Sequence, residues 1–183
     1  MTAVGIRPRR RTLADGATVT IRALEAGDAF RLRRMFDRLS PESVYQRFFA
    51  PIPLARRAAL IHLAGVDHDL HESLVAESGG EIVGVARYDV AADDDTAEVA
   101  VLVEDAWQGR GLGTLLLFRL ARIGADRGLV AFRAVVLGEN RGALRFLRRL
   151  SPDAEVRVDG GQYVAYAPFG SPSQAPAPAQ TGG

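Results

Sequence analysis

Residues 101–114 constrain the fold more than any other stretch of the chain. An apolar, strand-like run ends at Val103, a turn containing Gly109, Gly111 and Gly113 follows, and an apolar-periodic run continues to about Asp126. A strand that feeds a glycine-rich turn and then a helix makes an anion site. Small residues let backbone N–H groups approach a ligand, and the start of a helix leaves about four N–H groups unpaired and carries roughly half a positive charge. Arg110 can add a charge-assisted contact. A diphosphate is the natural guest of such a loop.

Two common phosphate loops fail here. A P-loop ends in Gly-Lys-Ser/Thr, and this chain contains no lysine: all 23 basic residues among its 183 are arginine. A dinucleotide fingerprint spaces its glycines as Gly-x-Gly-x-x-Gly, whereas Gly109, Gly111 and Gly113 are evenly spaced. The missing lysine also excludes a Schiff base, and with no cysteine there is no thiol nucleophile, Cys-ligated zinc or disulfide. The 22 acidic residues leave a net charge of +1, so no large positive excess points to nucleic acid. The four arginines Arg141, Arg145, Arg148 and Arg149 are spaced as one solvated helix face. The pair His68 and His71 has metal-like spacing, but no further ligand group supports it, and it reads as a polar loop; no metal is expected. His62 reads as a structural residue on a mostly apolar helix. No apolar run approaches the ~18 residues of a membrane span, and no apolar stretch follows the basic N-terminus as in a secretory signal. A cytoplasmic protein is expected.

Three segments are expected: a flexible basic arm over residues 1–16, one domain over 17–168, and a disordered Pro/Ala-rich tail over 169–183, which has too little apolar surface to order itself. Within the domain the pattern mixes α and β. Residues 18–22 alternate as a strand, 27–39 have helical spacing, and Ser40-Pro41-Glu42-Ser43 combines an N-cap serine, a first-position proline and a first-turn acid. Residues 54–64 read as a third helix. Strands over 73–77, 81–90 and 96–103 form an antiparallel meander, with Gly79-Gly80 as a hairpin turn and an acidic loop at 93–95. A helix over 111–126, a strand over 130–137, a helix over 140–150 and two strands over 155–158 and 162–167 complete the chain.

Gln108-x-x-Gly111-x-Gly113 after this strand resembles the pyrophosphate loop of the GNAT superfamily of acyl-CoA-dependent N-acyltransferases. Asn140-x-x-Ala143-x-x-Phe146 is similar to the second CoA-contacting segment of that family. The resemblance covers roughly residues 18–167. It implies an α/β (α+β) fold with a mixed central sheet, combining the antiparallel meander with a splayed parallel pair and flanking helices. It also implies acetyl-CoA as co-substrate. The backbone of Val101, Leu102 and Val103 would pair with the pantetheine arm. The amides of Gly109, Arg110, Gly111, Leu112, Gly113 and Thr114 would hold the diphosphate, Gln108 would belong to the same cofactor-binding loop, and Asn140 would reach the pantetheine or adenosine side.

Glu98 is the expected base, because it is a carboxylate in an otherwise apolar strand; an outward-facing edge position is the alternative. Glu104 and Asp105 suit loop shaping better. Many family members carry a tyrosine after the aromatic of the second segment. Leu147 occupies that place, so that tyrosine cannot protonate the leaving thiolate, and Tyr163 and Tyr166 are unsupported substitutes. Residues 39–49 resemble a segment of bacterial Pat-type protein lysine acetyltransferases, in which the glutamate matching Glu98 is the base; no module fused to the domain is expected within these 183 residues. The expected acceptor is a primary amine, a protein lysine first and a small polyamine or antibiotic second. A non-catalytic acyl-CoA sensor is the alternative from another class. No nucleic-acid or membrane partner is expected, and a dimer is left open.

Overall fold

The computed structural model describes residues 6–49, 65, 67–90 and 94–169. Eight strands form one sheet: β1 (Arg9–Thr12), β2 (Thr18–Ala23), β3 (His71–Ser78), β4 (Glu81–Val90), β5 (Thr96–Val103), β6 (Ala131–Leu137), β7 (Glu155–Asp159) and β8 (Gln162–Pro168). Their spatial order is β1-β2-β3-β4-β5-β6-β8-β7. Neighbours are antiparallel except β5 and β6, which run parallel. Among the described residues four helices flank the sheet: α1 (Ala29–Arg38), α2 (Pro41–Phe48), α3 (Leu112–Asp126) and α4 (Arg141–Leu150).

Alternation along the strands divides the core between the two faces. On one face Leu112, Leu116, Leu117 and Leu120 of α3 pack with Val19, Ile21, Leu74, Ala86 and Val99, and with Phe132, Ala134 and Val136 of β6. On the other face Leu32, Met35 and Phe36 of α1 and Val44 of α2 pack with Val75, Ile82 and Leu102. Fully burying one such side chain contributes roughly 1.5–3 kcal/mol, so each helix is fixed by its apolar stripe. At the start of α1 an ion-paired cluster fixes the entry of the chain. Arg22 binds Asp28 and Glu77, and Arg31 also reaches Glu77.

Three segments differ from the sequence expectation. The basic arm is not loose from Arg9 on: Arg9–Thr12 pairs with β2 from Arg9↔Ile21 to Thr12↔Thr18. All four of its side chains are exposed, which is why a reading of side chains misses it; an edge strand needs only backbone hydrogen bonds, and charge there discourages further pairing. Leu13 is buried and its N–H binds the Ala17 carbonyl, closing the hairpin. Phe169 is not tail: it packs edge-on to Phe132, with ring centroids 4.6 Å apart, and its N–H binds the Val130 carbonyl. The strand expected at 73–77 begins earlier, at His71, because Glu72 is buried and satisfied. Its carboxylate accepts from Arg127 (2.8 Å), faces His68 Nδ1 (2.9 Å) and accepts from the Ser73 N–H (3.0 Å). The helix expected at 54–64, with His62, and the segment 170–183 lie outside the described residues. Among the described residues no helix is long and apolar enough to cross a membrane.

Candidate active site

The sheet opens between β5 and β6. β5 and β6 pair only at Thr96↔Ala131, Ala97↔Phe132 and Glu98↔Arg133. Beyond that point β5 keeps its partner β4 as far as Gly84↔Val103, while β6 keeps β8 as far as Leu137↔Gln162. The facing edges from Val99 to Val103 and from Ala134 to Val136 therefore diverge. The gap is a cleft of about 820 Å³, lined by Glu98 and residues 99–103 of β5, the turn at Gly109 and Gly111, the start of α3, Asn140 at the start of α4 and Phe146 within it. Among the described residues the backbone groups on the open edge of β5 have no sheet partner, an arrangement that invites an extended ligand to pair there.

The far end of the cleft is formed by the N-terminus of α3 and the turn before it. Gly111 is the N-cap of α3 at φ +84°, and Gly109 has φ +73°; glycine adopts this left-handed conformation without the cost a Cβ would impose. Among the described residues no side chain caps α3, and no acid lies in its first turn. The first amide to enter the helix ladder is Leu115, which donates to the Gly111 carbonyl at 3.1 Å. The N–H groups of Leu112, Gly113 and Thr114 are thus left at the positive end of a helix, and all three residues line the cleft.

The turn is braced from α2. Asp105 accepts from the Ser40 N–H (2.9 Å), Ser40 Oγ (2.7 Å) and Ser43 Oγ (2.9 Å). Burial pushes the Asp105 carboxyl up, but these three bonds outweigh it and hold it below the usual carboxylate range. Ser40 Oγ in turn accepts from the Ser43 N–H, so the cap read from the sequence is made. Gln108 Nε2 donates to the Val103 carbonyl (3.0 Å) and to Ser43 Oγ (3.1 Å). Glu104 accepts from Arg38 Nε and Nη2. Glu104 and Asp105 are thus loop-shaping groups, and the side-chain amide of Gln108 is engaged within the protein.

The remaining site residues divide. Val101, Leu102, Val103, Gln108, Gly109, Gly111, Leu112, Gly113, Thr114 and Asn140 all border the cleft. Arg110 does not: it pairs with Asp15 at 2.9 Å and lies 5.1 Å over the Trp107 ring. Asn140 is also the N-cap of α4, accepting from the Ala143 N–H at 2.9 Å, so its carbonyl oxygen is committed and its NH₂ remains. Glu98 is exposed within the cleft rather than buried in the sheet. Leu147 is buried and lines the cleft with Phe146, whereas neither Tyr163 nor Tyr166 does.

Sequence reasoning missed Arg47. This half-buried side chain of α2 stacks 5.0 Å from the Phe48 ring and lines the cleft on the side of Glu98. Burial lowers its pKa, while Glu98 and Asp89 act to raise it. Its place after two apolar-face positions of α2 read as ordinary helix surface; no local signal marked it.

A family model for the acetyltransferase (GNAT) family matches residues 32–151. An acetyltransferase of Pseudomonas aeruginosa is 32% identical over 157 residues, which cover 80% of this chain and 84% of that protein. The acetyltransferase Pat of Mycolicibacterium smegmatis is 32% identical over 133 residues, covering 71% of this chain and 40% of that longer protein. The solved GNAT domain of S. lividans PAT superposes with a TM-score of 0.80 at 30% identity, covering 88% of this chain and 97% of that domain.

Proposed function

The chain belongs to the GNAT acetyltransferase family, and from that premise we propose that it moves an acetyl group from acetyl-CoA to a primary amine, with a protein lysine as first acceptor and Glu98 as base. One observation carries the reading: the sheet opens into a cleft with a carboxylate at one end and an uncapped helix N-terminus at the other. Likeness to proteins named Pat supports the lysine acceptor.

Acetyl-CoA supplies an activated acetyl thioester. The open edge of Val101, Leu102 and Val103 pairs with the extended arm, and the amides of Leu112, Gly113 and Thr114 bind the diphosphate. Gly109 and Gly111 shape the turn so that these amides converge, and Gln108 ties it to Val103 and Ser43. The Asn140 NH₂ faces the arm or the adenosine. Arg110 braces the turn through Asp15 and Trp107 rather than touching the diphosphate.

A lysine amine, with an ordinary pKa near ~10.4, must lose a proton before it attacks. Glu98, exposed to the cleft, takes that proton directly or through one water. The nitrogen bonds to the acetyl carbon, the carbon–sulfur bond breaks, and water protonates the departing thiolate, since Leu147 holds the place of a possible acid. A chain without cysteine can form no acyl-cysteine, which favours direct transfer in a ternary complex.

Replacing Glu98 with Gln tests the base. General-base catalysis contributes roughly 10²–10⁴-fold, so turnover should fall by that order while acetyl-CoA affinity holds; unchanged turnover removes Glu98 from this role. Incubating the enzyme with labelled acetyl-CoA and cell lysate tests the acceptor. Label in protein supports the lysine reading, and label confined to small molecules replaces it with a small amine.

A further inference from the structure

Beside the cleft lies a second, much smaller hole of about 20 Å³, lined by Arg47, Ser73, Arg87, Phe48, Ala100 and Leu102 among others. Three of these, Arg47, Ala100 and Leu102, also line the cleft, so the hole is a side chamber of the acceptor end. Its volume suits a single oxygen-sized group. Ser73 Oγ borders it, is fully buried, and is the one buried side-chain polar atom without a hydrogen-bond partner among the described residues. A buried hydroxyl left unpaired is costly, so native structures seldom keep one without a use.

The charges around the chamber do not cancel in pairs. Arg87 binds Asp89 through Nε (2.7 and 3.0 Å) and Nη2 (2.6 Å), and His71 Nδ1 also meets Asp89 at 2.6 Å. Arg47 feels Asp89 and Glu98 electrostatically, yet among the described residues it makes neither a hydrogen bond nor an ion pair. Its guanidinium is left with a ring for a neighbour and five unused donors. A simple cationic amine would match Glu98 and strand Arg47. An acceptor carrying both an amine and a carboxylate would match both.

We propose that Arg47 and Ser73 form a carboxylate subsite, so that the preferred acceptor bears a carboxylate close to the amine it presents to Glu98. The subsite rests on the reading of the Glu98 end as the acceptor side. The guanidinium takes the carboxylate through paired N–H bonds, a geometry a lysine ammonium cannot reproduce, and the Ser73 hydroxyl donates to the oxygen that enters the chamber. The carboxylate is supplied either by a small amino acid or by an acidic residue beside a peptide lysine.

Matched acceptors test this. Glycine, β-alanine and 4-aminobutyrate are each compared with their carboxamides, and a Lys-Asp peptide with its Lys-Asn counterpart. The wild-type enzyme should prefer the carboxylate member of the better series by at least tenfold in kcat/KM. Arg47→Gln should collapse that ratio to near one, mainly through KM, Arg47→Lys should restore only part of it, and Ser73→Ala should lower it severalfold. The series that shows the preference identifies the source. Equal rates for both members in wild type, or equal losses on both in Arg47→Gln, overturn the subsite and leave acetyl transfer standing. The same acceptors are titrated onto the CoA-loaded protein. A carboxylate preference in binding that Arg47→Gln abolishes, without turnover of any amine, would keep the subsite and overturn the transferase reading instead.

Discussion

Asn140 and Ser73 commit their polar atoms to the fold in opposite ways. Asn140 spends its carbonyl oxygen on capping α4 and turns what remains toward the cleft. Ser73 spends its hydroxyl on nothing within the described residues. Leaving a buried donor unpaired costs on the order of 1–3 kcal/mol, so Ser73→Ala should make the ligand-free protein more stable. For a domain of this size a gain of about 1 kcal/mol raises Tm by about 2–4 °C, readable by calorimetry; a lower Tm would mean that the hydroxyl is satisfied. Glu98 was visible in the sequence because a carboxylate interrupts an apolar run. Arg47 was not, because its meaning lies in what surrounds it: an arginine on a short helix looks the same in a sequence whether or not a carboxylate waits beside it.

Elements with their own signals were legible. The Ser40-Pro41 start of α2 and the β5–turn–α3 unit follow local rules, and the structure forms both. What stayed hidden depends on partners distant in the chain. β1 shows only four exposed side chains and is defined by β2, while Glu72 looks like a loop acid until Arg127 reaches it from the end of α3. The brace between α2 and the turn is of this hidden kind, joining residues 62 to 65 positions apart, and it has a pH signature. Because Asp105 titrates below its unfolded value near ~3.9, its contribution is complete above that value and is lost as pH falls through the lower folded one. Asp105→Asn should therefore lower Tm at pH 7, and the gap from wild type should close as the pH drops below about 4. A gap that does not vary with pH would show that the carboxylate charge is not what braces the turn.

Among the described residues, two groups of strands meet at three residue pairs between β5 and β6 and share a core only on the face beneath α3. Few hydrogen bonds across a join lower the free energy of opening it. In the ligand-free protein, amides of β6 and β8 should exchange with deuterium well before those of β3 and β4. Saturation with CoA should delay them until both groups exchange together, adding about 2.7 kcal/mol at a hundred times Kd. Equal exchange before ligand is added would show that the join is as firm as the rest of the sheet. Under the proposed function CoA would fill the opening without needing the acetyl group, and the consequence is one of tempo. Once the acetyl group has left, the spent carrier would keep every backbone and diphosphate contact proposed for the loaded one. The protein gains nothing by letting it go, and unloading rather than chemistry should set the pace of the cycle.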